Sequence, residues 1–222
     1  TCVLENAIDH SVPVAPEQKT RPTVCRFGCL GRLDVEKGVL DLLHAARTLV
    51  DSRIPFKLTL AGPAGTAGDP QAVAALAANM RLSAVVRVIG PVEGARKEHF
   101  FAGCDVYVQP SHFEGLPLSM LEAMAHGLPA IATRVGAIPE TITHGTEGLL
   151  IAANDAPALA QAMRLLAHDE ELRTQMGAAA SELVTRRFGR GRFADGVLQI
   201  LRRTLAAHVG VSARRAPVRG GC

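Results

Sequence analysis

The sequence predicts an α/β protein: a doubly wound parallel sheet with helices on both faces and more helices toward the C-terminal end. Three observations carry this. Short apolar runs alternate along the chain with segments whose apolar residues recur at helical spacing. The runs stop at turn-forming residues, as in Leu30-Gly31, Ala61-Gly62-Pro63, Ile89-Gly90-Pro91 and Gln109-Pro110. At 222 residues and 48% hydrophobic, the chain can fill one large core or two small ones. Alternation of this kind builds βαβ units, whose ligands bind beyond the carboxyl ends of the strands.

In order, residues 1–23 hold Pro13, Pro16 and Pro22 among polar residues and read as a linker. Residues 24–30 form the first strand. Residues 38–50 place Leu42, Leu43, Ala46, Leu49 and Val50 on one helical face. A second strand follows at 56–61, an Ala-rich helix at 71–80, a third strand at 85–89 and a short helix at 97–102. The fourth strand, 106–109, enters the loop 110–115. Proline is tolerated in the first turn, where its missing N–H would have no partner, so Pro117 is expected to open the next helix. Gly127 ends that helix, and strands follow at 130–132 and 148–151. The rest reads as helix at 156–168, 170–188 and 192–209, then a tail ending in Gly220 and Gly221. The expected domain, 24–190, thus lies between a linker and a C-terminal helix with a flexible basic tail, 191–222.

Composition excludes several classes of function. The chain has no Trp and one Tyr, Tyr107, which speaks against single-strand nucleic-acid binding on aromatic platforms. The net charge is +3, with arginines concentrated near the end, including Arg186, Arg187, Arg190, Arg202 and Arg214. A solvated helical face plus a loose tail is the favoured reading; a basic edge approaching anionic lipid is the lesser one. Five cysteines with no C-x-x-C pair make neither a disulfide framework nor a zinc site. Cys25 and Cys29 read as small core residues, which fits a reducing cytoplasm. No run is long and apolar enough to cross a membrane, and no signal peptide is visible. Because the chain starts at Thr1, a fragment of something longer is expected.

The residues that promise chemistry gather after the first and fourth strands. Glu114 and Glu122 frame EGLPLSMLE. Glu114 precedes a helix whose free N–H groups can receive an anion. Glu122 lies inside that helix among Leu118, Met120, Leu121, Ala123 and Met124, so it is expected to be buried and to need a partner. Singly, each has a bland reading, one as a first-turn carboxylate and the other as a surface residue. After the first strand, Gly31, Arg32 and Lys37 offer two cations beside a glycine turn, suited to a diphosphate. Equally, Lys37 could pair with Asp34 or Glu36. Ile89 and Gly90 end a strand where a flat base could approach the backbone. His112 could touch phosphate or sugar, or only be solvated; His126 and His144 read as helix-end and turn residues.

Taken together, these pieces resemble the nucleotide-binding half of retaining GT-B glycosyltransferases, the glycosyl transferases group 1 that include glycogen and sucrose synthases. The matching segments are GRLDVEKG at 31–38, LAG at 60–62, VIG at 88–90, CDVYVQPSHFEGLPLSMLEAMAHGLPAIAT at 104–133 and GAIPETITHGTEGLLI at 136–151. Asn6-Ala7-Ile8-Asp9 resembles the family's interdomain loop, with Ala7 where glycine is usual. The resemblance implies a Rossmann-like domain binding a nucleotide-diphosphate sugar, UDP- or GDP-linked, for transfer with retention. Arg32 and Lys37 would neutralise the diphosphate, Glu114 would meet the sugar hydroxyls and Glu122 the ribose. Gly115, Leu116, Pro117, Leu118 and Ser119 would bring backbone amides to sugar and phosphate, with Ile89 and Gly90 beside the base and His112 nearby. No metal and no cofactor are implied. The N-terminal acceptor-binding domain is expected to be missing, which would leave the chain inactive by itself. A cytoplasmic enzyme of bacterial envelope polysaccharide or glycolipid synthesis is implied, in possible contact with the membrane's inner face. The alternatives are a sugar-nucleotide epimerase of the same fold and a non-catalytic sugar-nucleotide-binding module.

Overall fold

The computed structural model describes residues 24–63 and 70–189. The expected linker, the helix at 192–209 and the basic tail lie outside the described residues. Six strands, β1 (Cys25–Leu30), β2 (Phe56–Ala61), β3 (Val86–Val88), β4 (Val106–Gln109), β5 (Ala130–Thr133) and β6 (Gly148–Ile151), form one sheet in the order β3-β2-β1-β4-β5-β6. Every pairing in it is parallel. Among the described residues, seven helices connect and cover it: α1 (Val39–Asp51), α2 (Pro70–Asn79), α3 (Ala95–Ala102), α4 (Leu118–Ala125), α5 (Ile138–Thr141), α6 (Ala156–His168) and α7 (Glu170–Phe188).

Side chains on a strand alternate between faces, so each buried strand feeds two cores. Cys25, Phe27 and Cys29 of β1, Val106 and Val108 of β4 and Ile131 of β5 pack with α1, α2 and α6. Tyr107 of β4 and Ala130 and Ala132 of β5 pack on the opposite side with α3, α4, α5 and α7. The expected core role of Cys25 and Cys29 is therefore met. Burial pushes both thiols up from the ordinary 9.0 to about 12. Helices α6 and α7 each start at an aspartate: Asp155 accepts from the Ala158 N–H and Asp169 from the Leu172 N–H, both at 2.8 Å. The Arg173 guanidinium closes the other end of α6 by donating to the carbonyls of Leu166 and Ala167.

The differences from the sequence reading are local. Pro117 does not sit in the first helical turn. Its ψ of 116° is extended, so it caps α4 from outside and the helix begins at Leu118. Helix α1 likewise begins at Val39, because Gly38 is left-handed with φ 68°. A Cβ at Gly38 would also collide with the Pro110 carbonyl, so only glycine lets these two loops approach. Helix α3 starts two residues earlier than expected, β3 is shorter, and β5 runs on to Thr133. Helix α5 has no counterpart in the sequence reading.

Candidate functional site

Strand order reverses between β1 and β4, so the loops leaving their carboxyl ends part to opposite sides and leave a crevice. The first of these loops carries Arg32, Asp34, Glu36 and Lys37; the second carries Ser111, His112 and Glu114. Backbone contacts lock the pair together. The His112 N–H donates to the Glu36 carbonyl at 2.8 Å. A third loop, after β5, supports the second: the Ala137 N–H donates to the Gly115 carbonyl at 2.8 Å, and the Thr133 hydroxyl to the Ser111 carbonyl at 2.6 Å. Gly136, at φ 54°, lies so close to the Glu114 carbonyl that a Cβ there would collide with it. Gly31, Gly90 and Gly115, by contrast, border open space.

Glu114 is the centre of the site. Its side chain is only 9% exposed, and three donors converge on its Oε1: Lys37 Nζ at 2.6 Å, Ser111 Oγ at 2.8 Å and Gln109 Nε2 at 2.9 Å. Lys37 thus pairs with Glu114 across the two loops, not with Asp34 or Glu36 as its bland reading had it. Arg32 takes those carboxylates instead, lying 3.4 Å from both. Asp34 is buried and turns the loop by accepting the Lys37 N–H at 2.9 Å. Its Oδ2 receives no hydrogen bond: the Arg32 Nε is near enough to attract it but is not aligned to donate.

Behind Glu114 runs a buried polar chain. The Tyr107 hydroxyl lies within 3.0 Å of the Leu30 carbonyl, Gln109 Oε1 and Ser119 Oγ. Burial raises the Tyr107 phenol well above its ordinary 10.0, which keeps it a neutral donor. Gln109 and Ser111 are both buried. The sequence reading singled out none of Tyr107, Gln109 and Ser111 as site residues, although polar residues closing an otherwise apolar strand were the available signal.

Glu122 departs from expectation. It is not buried but 30% exposed, because its helical position faces α3 at the rim of the core. Its partner is Lys97, whose Nζ donates to Oε1 at 2.7 Å and which the sequence reading did not single out. Ser119, one turn earlier on α4, joins this helix to the Tyr107 chain. The N–H groups of Leu118, Ser119 and Met120 have no described acceptor, so the start of α4 is open to an anion. Leu116 and Ile89 are half-buried against the core, and the Gly62 N–H donates to the Gly90 carbonyl at 2.7 Å, which fixes the turn after β3.

His112 is not merely solvated, since its Nε2 sits 2.6 Å from Asp41 of α1. His126 caps the end of α4 and lies 3.0 Å from Glu98, while His144 Nδ1 accepts the Leu150 N–H. Among the described residues, no three His, Cys, Asp or Glu side chains gather as a metal site, and no helix is long and apolar enough to cross a membrane.

The chain is similar to known proteins over most of its length. Residues 16–183 match the model of the family described as glycosyl transferases group 1. The D-inositol 3-phosphate glycosyltransferase of Streptomyces avermitilis is 33% identical over 157 residues, covering 68% of this chain and 34% of that protein. Sucrose-phosphate synthase from Thermosynechococcus elongatus superimposes with a TM-score of 0.74 at 27% identity, over 84% of this chain and 47% of that one. The Anabaena protein HepE, solved with UDP and glucose, gives 0.71 at 21% identity over 82% and 49%. The chain spans about a third of that curated relative and about half of each of those two solved chains.

Proposed function

Because this chain belongs to the glycosyl transferases group 1, we propose that it is the donor-binding half of a retaining glycosyltransferase, taking a nucleotide-diphosphate sugar in the crevice between β1 and β4. The observation that carries this is the Lys37–Glu114 pair, set at the switch point beside the open N–H groups of α4. A diphosphate at that helix start would be met by the amides of Leu118, Ser119 and Met120, by Lys37 and by Arg32 once it leaves Asp34 and Glu36. The α4 amides and Lys37, in place beforehand, and Arg32 after its move stabilise the charge that grows on the leaving group, and no divalent ion is required. Glu114 would accept from the sugar and Glu122 from the ribose, each through its Oε2, since Oε1 of each is taken by a lysine. Ile89 and Gly90 would flank the base, UDP and GDP being the two candidate carriers. The acceptor would attack from the face the leaving group departs, and the departing phosphate would take its proton. Synthesis of a bacterial envelope polysaccharide or glycolipid is the setting we propose.

The test is titration of nucleoside, monophosphate and diphosphate, in the uridine and guanosine series, against the chain and two variants. Loss of a hydrogen bond to a charged group costs about 1.5–3 kcal/mol, so Glu122→Ala should weaken all three ligands by roughly tenfold to a hundredfold. Arg32→Ala should weaken the diphosphate and leave the nucleoside unchanged. Taken alone, the chain should turn over no sugar nucleotide onto an acceptor. Equal losses for all three ligands in Arg32→Ala, or none in Glu122→Ala, would overturn the assignment of phosphate and ribose.

A further inference from the structure

Donors are distributed unequally over the carboxylate of Glu114. Lys37, Ser111 and Gln109 all donate to Oε1, and no described residue donates to Oε2. Proton accounting makes this arrangement rigid. A carboxylate accepts only, so the Gln109 amide must present its NH2 to Glu114 and its oxygen to Tyr107. Its two N–H bonds are then both used, one on Glu114 and one on Ser111 Oγ at 2.9 Å. The Ser111 proton goes to Glu114, since the carboxylate can only accept, and its oxygen accepts from Gln109. Tyr107 faces Gln109 Oε1 at 3.0 Å and is itself fixed by Leu30 and Ser119. Gln109 and Ser111 therefore each have one orientation, and the chain ends on a single oxygen of Glu114.

Resting on the reading of Glu114 as the group that meets the sugar, we propose that Gln109 and Ser111 are positioning residues for sugar selectivity. They hold Glu114 by Oε1 so that Oε2 alone is offered, at a fixed place, to one hydroxyl of the donor sugar. Lys37 alone could not do this. An ammonium on a flexible stem attracts either carboxylate oxygen, whereas a buried amide and hydroxyl distinguish them. Beyond Gln109 the polar chain continues through Tyr107 to Ser119 in the first turn of α4, a bond that does not involve Gln109 or Ser111. A freely turning carboxylate would accept from several hydroxyls in several poses; a clamped one discriminates.

The experiment compares the chain with Gln109→Met, which keeps the volume and removes the amide, and with Ser111→Ala. Calorimetry is run with UDP and UDP-glucose, with GDP and GDP-mannose, and with analogues in which one sugar hydroxyl is replaced by fluorine. Melting curves identify which variants are folded, and the folded ones are read. Either variant should bind the sugar nucleotide about tenfold more weakly, as for one charge-assisted hydrogen bond, while the sugar-free diphosphate changes less than about twofold on the same principle. The unmodified chain should lose affinity for one fluorinated analogue more than for the others, and the variants should lose that preference. A role in folding alone would move both ligands together, and that result would overturn the proposal, as would unchanged selectivity. If the unmodified chain binds neither diphosphate nor sugar nucleotide, the donor-half reading itself fails, and the proposal fails with it.

Discussion

Arg26 and Asp105 face each other at the end of the sheet remote from the crevice. The Arg26 guanidinium donates to both carboxylate oxygens, at 2.9 and 2.7 Å, and the Arg26 N–H adds a third bond at 2.9 Å. Hydrogen bonding to Asp105 raises the guanidinium above its ordinary range. About a third of the Arg26 side chain is exposed, so solvent weakens the pair. Arg26→Ala should therefore destabilise the fold by about 1–2 kcal/mol, the lower part of the range for bonds to charged groups. At roughly 2–4 °C per kcal/mol for a domain of this size, the melting temperature should drop by a few degrees while affinity for UDP is unchanged. A loss of affinity with no change in melting would show that this ion pair reaches the site. Single residues also show what sequence conveys about a site. Lys37 and Glu114 stand out only together, as opposite charges beside glycines in the loops after two strands. Gln109 does not, because a glutamine closing an apolar strand looks like the strand's polar end. Nothing in local spacing reveals that its amide turns inward. Lys97 is harder still, since its partner Glu122 is 25 positions away on another helix.

Strand β1 puts two thiols into one core, and each resists ionisation there up to about pH 12. Unfolding returns them to the ordinary value of 9.0, so above about pH 9 the unfolded chain releases protons that the folded one keeps. The stability they confer is complete below pH 9 and is lost as pH rises toward 12. Melting temperature should fall across that window, and a Cys25→Ala, Cys29→Ala variant should fall less steeply. Equal slopes would refute the assignment. The elements were legible where period and length agree: the short apolar run of β1 and the apolar stripe of α1 have no competing reading. They were less legible at their ends: Gly38, left-handed, and Pro117, extended, stand just outside α1 and α4, and either residue type is also found just inside a helix boundary. Helix α5, at four residues with a proline inside it, is too short to show a period at all.

At the scale of the molecule, the reversal of strand order makes one crevice, and a ligand seated in it would touch the loops after β1, β3 and β4. Binding to the folded state alone stabilises by about 2.7 kcal/mol at a hundredfold excess over Kd, which for a chain of this size is roughly 5–10 °C in melting temperature. UDP or GDP at that excess should give such a shift, and the same shift in EDTA; a shift that EDTA abolishes would show that a divalent ion takes part. The loop that would face the sugar is held through its main chain: the Ser111 carbonyl by Thr133, the His112 N–H by the Glu36 carbonyl, the Gly115 carbonyl by the Ala137 N–H. Its course is therefore encoded mostly outside itself. Phe113, 79% exposed at the crest of that loop, can be exchanged in descent without disturbing the frame that carries it. Under the proposed donor role, a lineage could vary that side chain with little risk to the fold it inherits.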